Sequence, residues 1–325
     1  MGNNITIMPD EVLTTLFRGY MPQDQNFIHD QVLPRITVGA KDGQVINSGT
    51  TSQEFLKIYH DVIIGRSKSP EINVQLTKSD AWHTEKHSLK IMVTKDDGQK
   101  FSNSDWKAGM RDAEIMYTKM LKTAVNVGKE YALASAIFNT TKITNNTTLT
   151  GADQWSDFVN SDPIGDVRTG KQSVRSNAHM KANTGIMGIE VFEIIQDHPQ
   201  IKKTNGVLPD GTVPVRSLTE AEVAKAFNLN KLLVGDVQYE SAIKGATSSL
   251  SEVWGKGMLV AYVNPSPQPQ EFQRSLGYSF VLDDAEIDSY DNEDPKYSKF
   301  VRMEEEYDDV LLDEAAAYYI AAAVA

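Results

Sequence analysis

Between Ser102 and Asn139 the chain carries the feature that most limits its fold, a single very long helical stripe. Trp106, Met110, Ala113, Tyr117, Met120, Ala124, Val127, Tyr131, Ala134 and Phe138 follow one another at alternating spacings of four and three, and each is apolar or aromatic. Ser102, Asn103 and Ser104 are able N-caps, and Asp105 suits the first turn. At 1.5 Å per residue such a helix runs about 50 Å, more than most domains of this size need. The stripe suits a core helix or a coiled coil, and its Ala, Tyr and Trp content favours packing on a sheet or loop. Gly109 and Gly128 lie inside it, each costing roughly 1 kcal/mol against Ala. They mark either close packing or weak points at which the helix bends.

The segments on either side read differently. Residues 1–45 look like an arm: Val12, Leu13, Leu16 and Phe17 form one short helical stripe after Pro9 and Asp10, and Gly19, Pro22 and Pro34 then interrupt. An arm of this kind is a tail or lies on another surface. Residues 46–101 alternate like strands, with Ile58, Val62 and Ile64 on one run, Ile72, Val74 and Leu76 on a second, and Leu89, Ile91 and Val93 on a third. The last two runs, joined by the polar stretch 77–88, read as a projecting hairpin that needs a partner, and Asp97-Gly98 reads as a turn. Residues 140–150 are a Thr/Asn-rich linker and give a domain boundary.

From Gly151 to Ile201 the order is turn, helix, strand, helix. Ser161-Asp162-Pro163 opens a helix with Val167 and Val174 on one face. Asn183-Thr184-Gly185 leads into the strand Ile186–Ile189, and a second helix stops at His198-Pro199. Thr219 and Glu222 form a capping box, Lys231–Val237 and Met258–Val263 are strands, and Pro265 to Pro269 is a stiff connector. Gly277–Leu282 is a further strand, before an acidic loop at 283–294 and closing segments Lys299–Tyr307 and Val310–Ala325.

This order resembles the major capsid proteins of tailed double-stranded-DNA phages, which share the Hong-Kong-97 fold. The resemblance rests on Gly151, Trp155-Ser156-Asp157, Ser161-Asp162-Pro163-Ile164, Gly185-Ile186-Met187-Gly188, Asp197-His198-Pro199, Leu218-Thr219-Glu220, Asn230 to Gly235 and Trp254-Gly255-Lys256. It covers roughly Ser102 to Phe280. It implies an α+β fold with an N-terminal arm (1–45), an extended hairpin loop (46–101), a peripheral domain with a long spine helix (102–150), an axial domain (151–270) and C-terminal strands (271–325) that return to the peripheral domain. The function it implies is self-assembly through pentamers and hexamers into an icosahedral shell around double-stranded DNA, in virions assembled in the host bacterial cytoplasm. The partners it implies are further copies of the chain, with scaffolding, portal and decoration proteins. The chain begins close to the arm, so the long N-terminal scaffolding region of some relatives is not expected here, and no covalent cross-link is assigned. An encapsulin-like nanocompartment shell is the alternative within the fold, and an α/β enzyme or ligand-binding module centred on 151–263 is the alternative outside it.

Composition narrows the chemistry. Lys and Arg number 32 against 44 Asp and Glu, a formal charge of −12, so any contact with packaged DNA is nonspecific and local, and the inner wall is not expected to clamp it tightly. With no cysteine, disulfides and thiolate metal sites are excluded. No apolar run reaches the length of a membrane span, the start MGNNITIMPD is no signal peptide, and Met1-Gly2 is not taken as a lipidation signal. No phosphate-binding loop, nucleophile elbow or zinc-protease motif is found. His83 and His87 have metal-ligand spacing for a helix but sit in a stretch read as a loop. The acidic loop 283–294 and the cluster Glu304 to Glu306 with Asp308 and Asp309 read as solvated surfaces, the second with a neighbour's cations as the alternative. We therefore expect no enzyme, no catalytic, cofactor-binding or metal residues, and no cofactor.

Overall fold

The computed structural model describes residues 9–20, 26–47, 77–102, 104–206, 217–243, 245–267, 274–292 and 298–325. The expected runs around Ile58–Ile64 and Ile72–Leu76 lie outside them. Two sheets share one long helix.

The first sheet has four strands. β1 (Arg35–Thr37) runs parallel to β11 (Gly277–Asn292), which pairs antiparallel with β12 (Ser298–Leu311), which pairs with β4 (Glu85–Val93). Residues 283–292 of the expected acidic loop are therefore strand. Asp284, Glu286 and Asp288 alternate with Ala285, Ile287 and Ser289, a period of two that outweighs the loop signal of so many carboxylates. Ala285 and Ile287 are buried, while Glu286 is exposed. Register shifts between Val281 and Glu286 put extra residues on β11, and β12 stays regular against β4.

The expected hairpin is also redrawn. Thr77–His83 is a strand, β3, paired with β2 (Asp42–Asn47), and Glu85 onward belongs to β4, so the polar stretch 77–88 is sheet and not a connecting loop. Trp82 of β3 packs on Phe280 with centroids 4.7 Å apart and joins Ile36 and Tyr278 in a small core. Since residues sharing a sheet face are two apart, this core and that of Ile287 and Met303 lie on opposite faces of the first sheet.

α4 (Trp106–Ile137) is the long helix, with 32 residues and an N-cap at Asp105, which accepts from the Lys107 and Ala108 amides. Its buried face changes along its length. Met110, Ala113, Leu121 and Val125 pack on Val93, Ile287, Val301 and Met303 of the first sheet. Leu133, Ala134 and Ile137 point roughly the opposite way round the helix and join the core of the second sheet. The expected single stripe is buried at Met110, Ala113 and Ala134 and half-buried at Trp106, Tyr117, Val127 and Phe138, but Met120, Ala124 and Tyr131 are exposed. One helix serving two sheets cannot keep one buried stripe.

Two short helices brace its start. α1 (Glu11–Gly19), capped by Asp10, buries Leu13 and Phe17 against α4 and β11 of its own chain. The expected Asp97-Gly98 turn is instead inside α3 (Lys95–Phe101), because Thr94 and Asp97 form a capping box. Gly98 there lies so close to α4 that a Cβ on Gly109 would sit 2.1 Å from its carbonyl oxygen. A Cβ on Gly128 would meet nothing within 4 Å.

The second sheet has five strands in the order β5 (Asn146–Thr148), β13 (Ala317–Ala321), β10 (Met258–Ala261), β6 (Thr184–Gly188) and β7 (Lys231–Gly235). Its residues alternate between two cores. Met187, Val234, Met258 and Ile320 face α5 (Pro163–Ala178), α6 (Ile189–Asp197), α7 (Pro199–Thr204) and α8 (Glu220–Ala226), while Ile186, Leu233, Leu259 and Tyr319 face the end of α4 and Ile28 to Leu33. Pro199 both ends α6 and begins α7. β13 departs from the expected return beside the long helix and enters this sheet, and β5 joins from before Gly151. A two-stranded ribbon, β8 (Gln238–Glu240) with β9 (Leu250–Glu252), stands beside it.

Candidate functional site

The sequence singled out three places for chemistry, and the structure disperses them. His83 and His87 sit on successive strands: His83 Nδ1 lies 2.5 Å from an Asp42 oxygen and the His87 ring stacks on Tyr307. No cluster of three metal-binding side chains occurs among the described residues. The cluster Glu304 to Asp309 is neither solvated throughout nor reserved for a neighbour. Glu305, buried, pairs with Lys129 at 2.7 Å and Arg35 at 2.9 Å, Glu306 accepts from the Thr84 hydroxyl, and Asp308 accepts from the His83 amide. On β11, Asp288 pairs with Arg302 and Asp284 with Arg35.

Ser161 and His198 do meet, Oγ to Nε2 at 3.1 Å. The proton runs the wrong way for a nucleophile. The Gln200 amide donates to His198 Nδ1, so Nε2 carries the hydrogen, and the Ser161 hydroxyl donates to the Asp157 carbonyl at 2.6 Å. Burial pulls the imidazole below its ordinary pKa, which keeps it neutral. This pair ties the start of α5 to the start of α7.

What the fold concentrates is a buried polar joint between the sheets, which the sequence did not reveal. Glu130, wholly buried in the last third of α4, accepts from the Ile28 amide at 2.5 Å, the His29 amide at 2.6 Å and the Trp254 indole at 2.8 Å. Burial raises its pKa against the pull of these donors and of the His29 charge. His29, on the short helix α2 (His29–Val32), contacts Asp309 at 2.7 Å and Asp30 at 2.9 Å. Burial works against its charged form, but the two carboxylates prevail and hold its pKa up at about 9. Burial would raise Asp309, and the His29 contact overrides it and holds that carboxyl below its ordinary range. The joint anchors residues 28–33 to α4 and β12. A Glu inside an amphipathic helix gives no sign in sequence of having three donors from distant segments.

A Cβ on Gly235 would lie 2.2 Å from the Trp254 ring, so the glycine ending β7 is required by the tryptophan packed against it. Trp155, also fully buried, donates its indole N–H to Asp166 of α5 at 2.9 Å. The Lys256 carbonyl accepts from the Ala323 amide and the Trp155 amide donates to the Ala323 carbonyl, stitching the chain end over both motifs. The outer surface of α4, by contrast, leaves Met116, Met120 and Tyr131 at 40, 47 and 48% exposure, spaced to form one row.

No family model matches the chain. Over 255 residues, 76% of this chain and 74% of the relative, it is 28% identical to the major capsid protein of Pseudomonas phage JBD67. A phage-related protein of Bordetella bronchiseptica RB50, 19% identical, superposes with a TM-score of 0.71 over 98% of both chains. A putative prophage capsid protein of Escherichia coli CFT073, 11% identical, gives 0.55 over 97% of this chain and 99% of that one. The chain is thus similar in sequence to a phage major capsid protein and in fold to a prophage capsid protein. Its mixed helix-and-sheet fold is that of phage capsid structures, and the chain presents side chains that fasten its own segments together where the sequence suggested possible ligands. No described helix is long and apolar enough to cross a membrane.

Proposed function

We propose that copies of this chain assemble through pentamers and hexamers into an icosahedral shell that encloses double-stranded DNA, built in the host bacterial cytoplasm and retained in the virion. The observation that carries the reading is the agreement of two independent likenesses over most of the chain, one of sequence to a major capsid protein and one of fold to a prophage capsid protein. In this reading α4 is the spine of a peripheral domain with the four-stranded sheet, the five-stranded sheet with α5 to α8 is the axial domain, and β2 with β3 is the base of the extended loop. The row Met116, Met120 and Tyr131 is then covered by a second copy, since a shell subunit buries its remaining apolar surface between copies. Scaffolding, portal and decoration proteins are its further partners, and it carries no catalytic activity.

The sequence likeness is to a phage protein, which favours a DNA-filled shell over a nanocompartment. The test is electron microscopy and sedimentation of the full chain, alone and co-expressed with the proteins of its phage. Closed shells are expected. A chain that stays monomeric or dimeric with every such partner present overturns the reading.

A further inference from the structure

The formal charge of this chain is −12, yet one groove is lined by cations. It has a volume of about 580 Å³ and runs along α5, where Arg168, Lys171, Arg175 and Lys181 gather with the neutral donors Gln172 and Asn228. Val167, Val174 and Ala178 turn the other face of this helix into the core, so the arginines are held outward by the same amphipathic pattern that builds the domain. Lys171 is committed: its ammonium donates to the Phe227 carbonyl at 2.6 Å and the Asn228 carbonyl at 3.2 Å, fixing one wall of the groove. Arg168, Arg175 and Lys181 are exposed and form no ion pair with a described carboxylate, although Asp162 lies near enough to feel the Arg168 charge. On an acidic chain with many carboxylates to spare, that is a selective omission.

We infer that this face of α5 binds the phosphodiester backbone of double-stranded nucleic acid, and therefore marks the side of the subunit turned toward the packaged DNA. The inference rests on the proposed shell function and revises the expectation of a wall that holds DNA only loosely. Arg168 and Arg175 stand about 10 Å apart along the helix axis, two turns, with Gln172 between them. A protein partner would need carboxylates placed to match that interval. A duplex carries a charge every ~1.7 Å of its axis, so it meets such a row in any register. Guanidinium groups pair phosphate oxygens in a two-pronged fashion, and neutral amides such as Gln172 and Asn228 also serve phosphate contacts. None of these contacts reads a base, so binding is independent of sequence.

The test compares the full-length protein with an Arg168→Gln/Arg175→Gln variant, using a fluorescent duplex of about 20 bp across a range of salt concentrations. If each arginine neutralises one phosphate, the salt slope falls by about 1.8 and affinity near 0.1 M salt falls on the order of 50-fold. A Lys142→Gln/Lys203→Gln variant removes the same charge from exposed sites elsewhere and is expected to bind within about twofold of the parent. Electron microscopy of the same samples reads shell formation separately, so failure of the shell reading is seen without reference to DNA affinity. Four results overturn the inference: no duplex binding by the parent, equal binding by parent and arginine variant, equal losses in both variants, or an arginine variant that keeps its DNA affinity but no longer assembles. The last would assign the groove to a carboxylate surface of a second copy.

Discussion

The two sheets solve the same problem with different materials. Every residue of β6, β10 and β13 is buried, and these strands are short, apolar and covered on both faces. β11 and β12 are three times longer, carry carboxylates along their length, and depend on pairs such as Glu305 with Lys129 and Asp288 with Arg302. The contrast teaches where rigidity comes from. In the five-stranded sheet it comes from close packing, which tolerates almost no change of volume. In the four-stranded sheet paired charges supplement the two apolar cores, and they respond to pH and salt.

The largest break in this comparison should follow from the packed side. Trp254→Ala removes a buried indole and strips Glu130 of a donor, and we expect a loss of about 3–5 kcal/mol in chemical denaturation. A loss below about 1 kcal/mol would mean the second sheet is far more plastic than its packing suggests.

The charged side should show itself next, through His29. Its folded pKa of about 9 lies above the unfolded value near 6.5, so its stabilisation is complete below about pH 6.5 and disappears as pH rises through about 9. The span corresponds to a contribution on the order of 3 kcal/mol. Thermal unfolding between pH 6 and pH 9.5 should show the decline, and His29→Gln should flatten it. A parent profile with no decline over that window removes His29 as the source.

Glycines in one helix sharpen the contrast further. Gly109→Ala forces a methyl group against the Gly98 carbonyl and should cost about 1–3 kcal/mol. Gly128→Ala enters open space and should gain up to about 1 kcal/mol. Equal effects at the two positions, measured by urea titration, would contradict the geometry. If Gly128 serves as a bending point in shell maturation, the stabilised variant should assemble yet fail to change particle size.

What the sequence disclosed follows the same division. The 151–201 segment was legible because its cues are local: Asp162 caps, Pro163 starts and Pro199 stops, and Val167 with Val174 marks a face. The capping box at Thr219 was legible for the same reason. β11 was legible only to Leu282, because carboxylates at 284, 286 and 288 resemble a loop until their alternation with Ala285 and Ile287 is counted. α4 was found, but Met120, Ala124 and Tyr131 were placed on its packed stripe and are exposed, since sequence period cannot tell that one helix serves two sheets on opposite sides. The polar joint around Glu130 and His29 depends on segments about 100 residues apart and on β12, and no local pattern encodes it.

The 32-residue helix α4 and the 14-residue strand β12 have nearly the same length, about 48 and 46 Å, and they run side by side, with Glu114 beside Lys299 and Lys129 beside Glu305. They form a beam whose far end is embedded in the second sheet. A tilt of about 5° at one end of a rod that long carries the other end through roughly 4 Å, the distance of one atomic contact. Such a subunit could therefore meet its neighbours at different angles by leaning, with neither sheet required to repack.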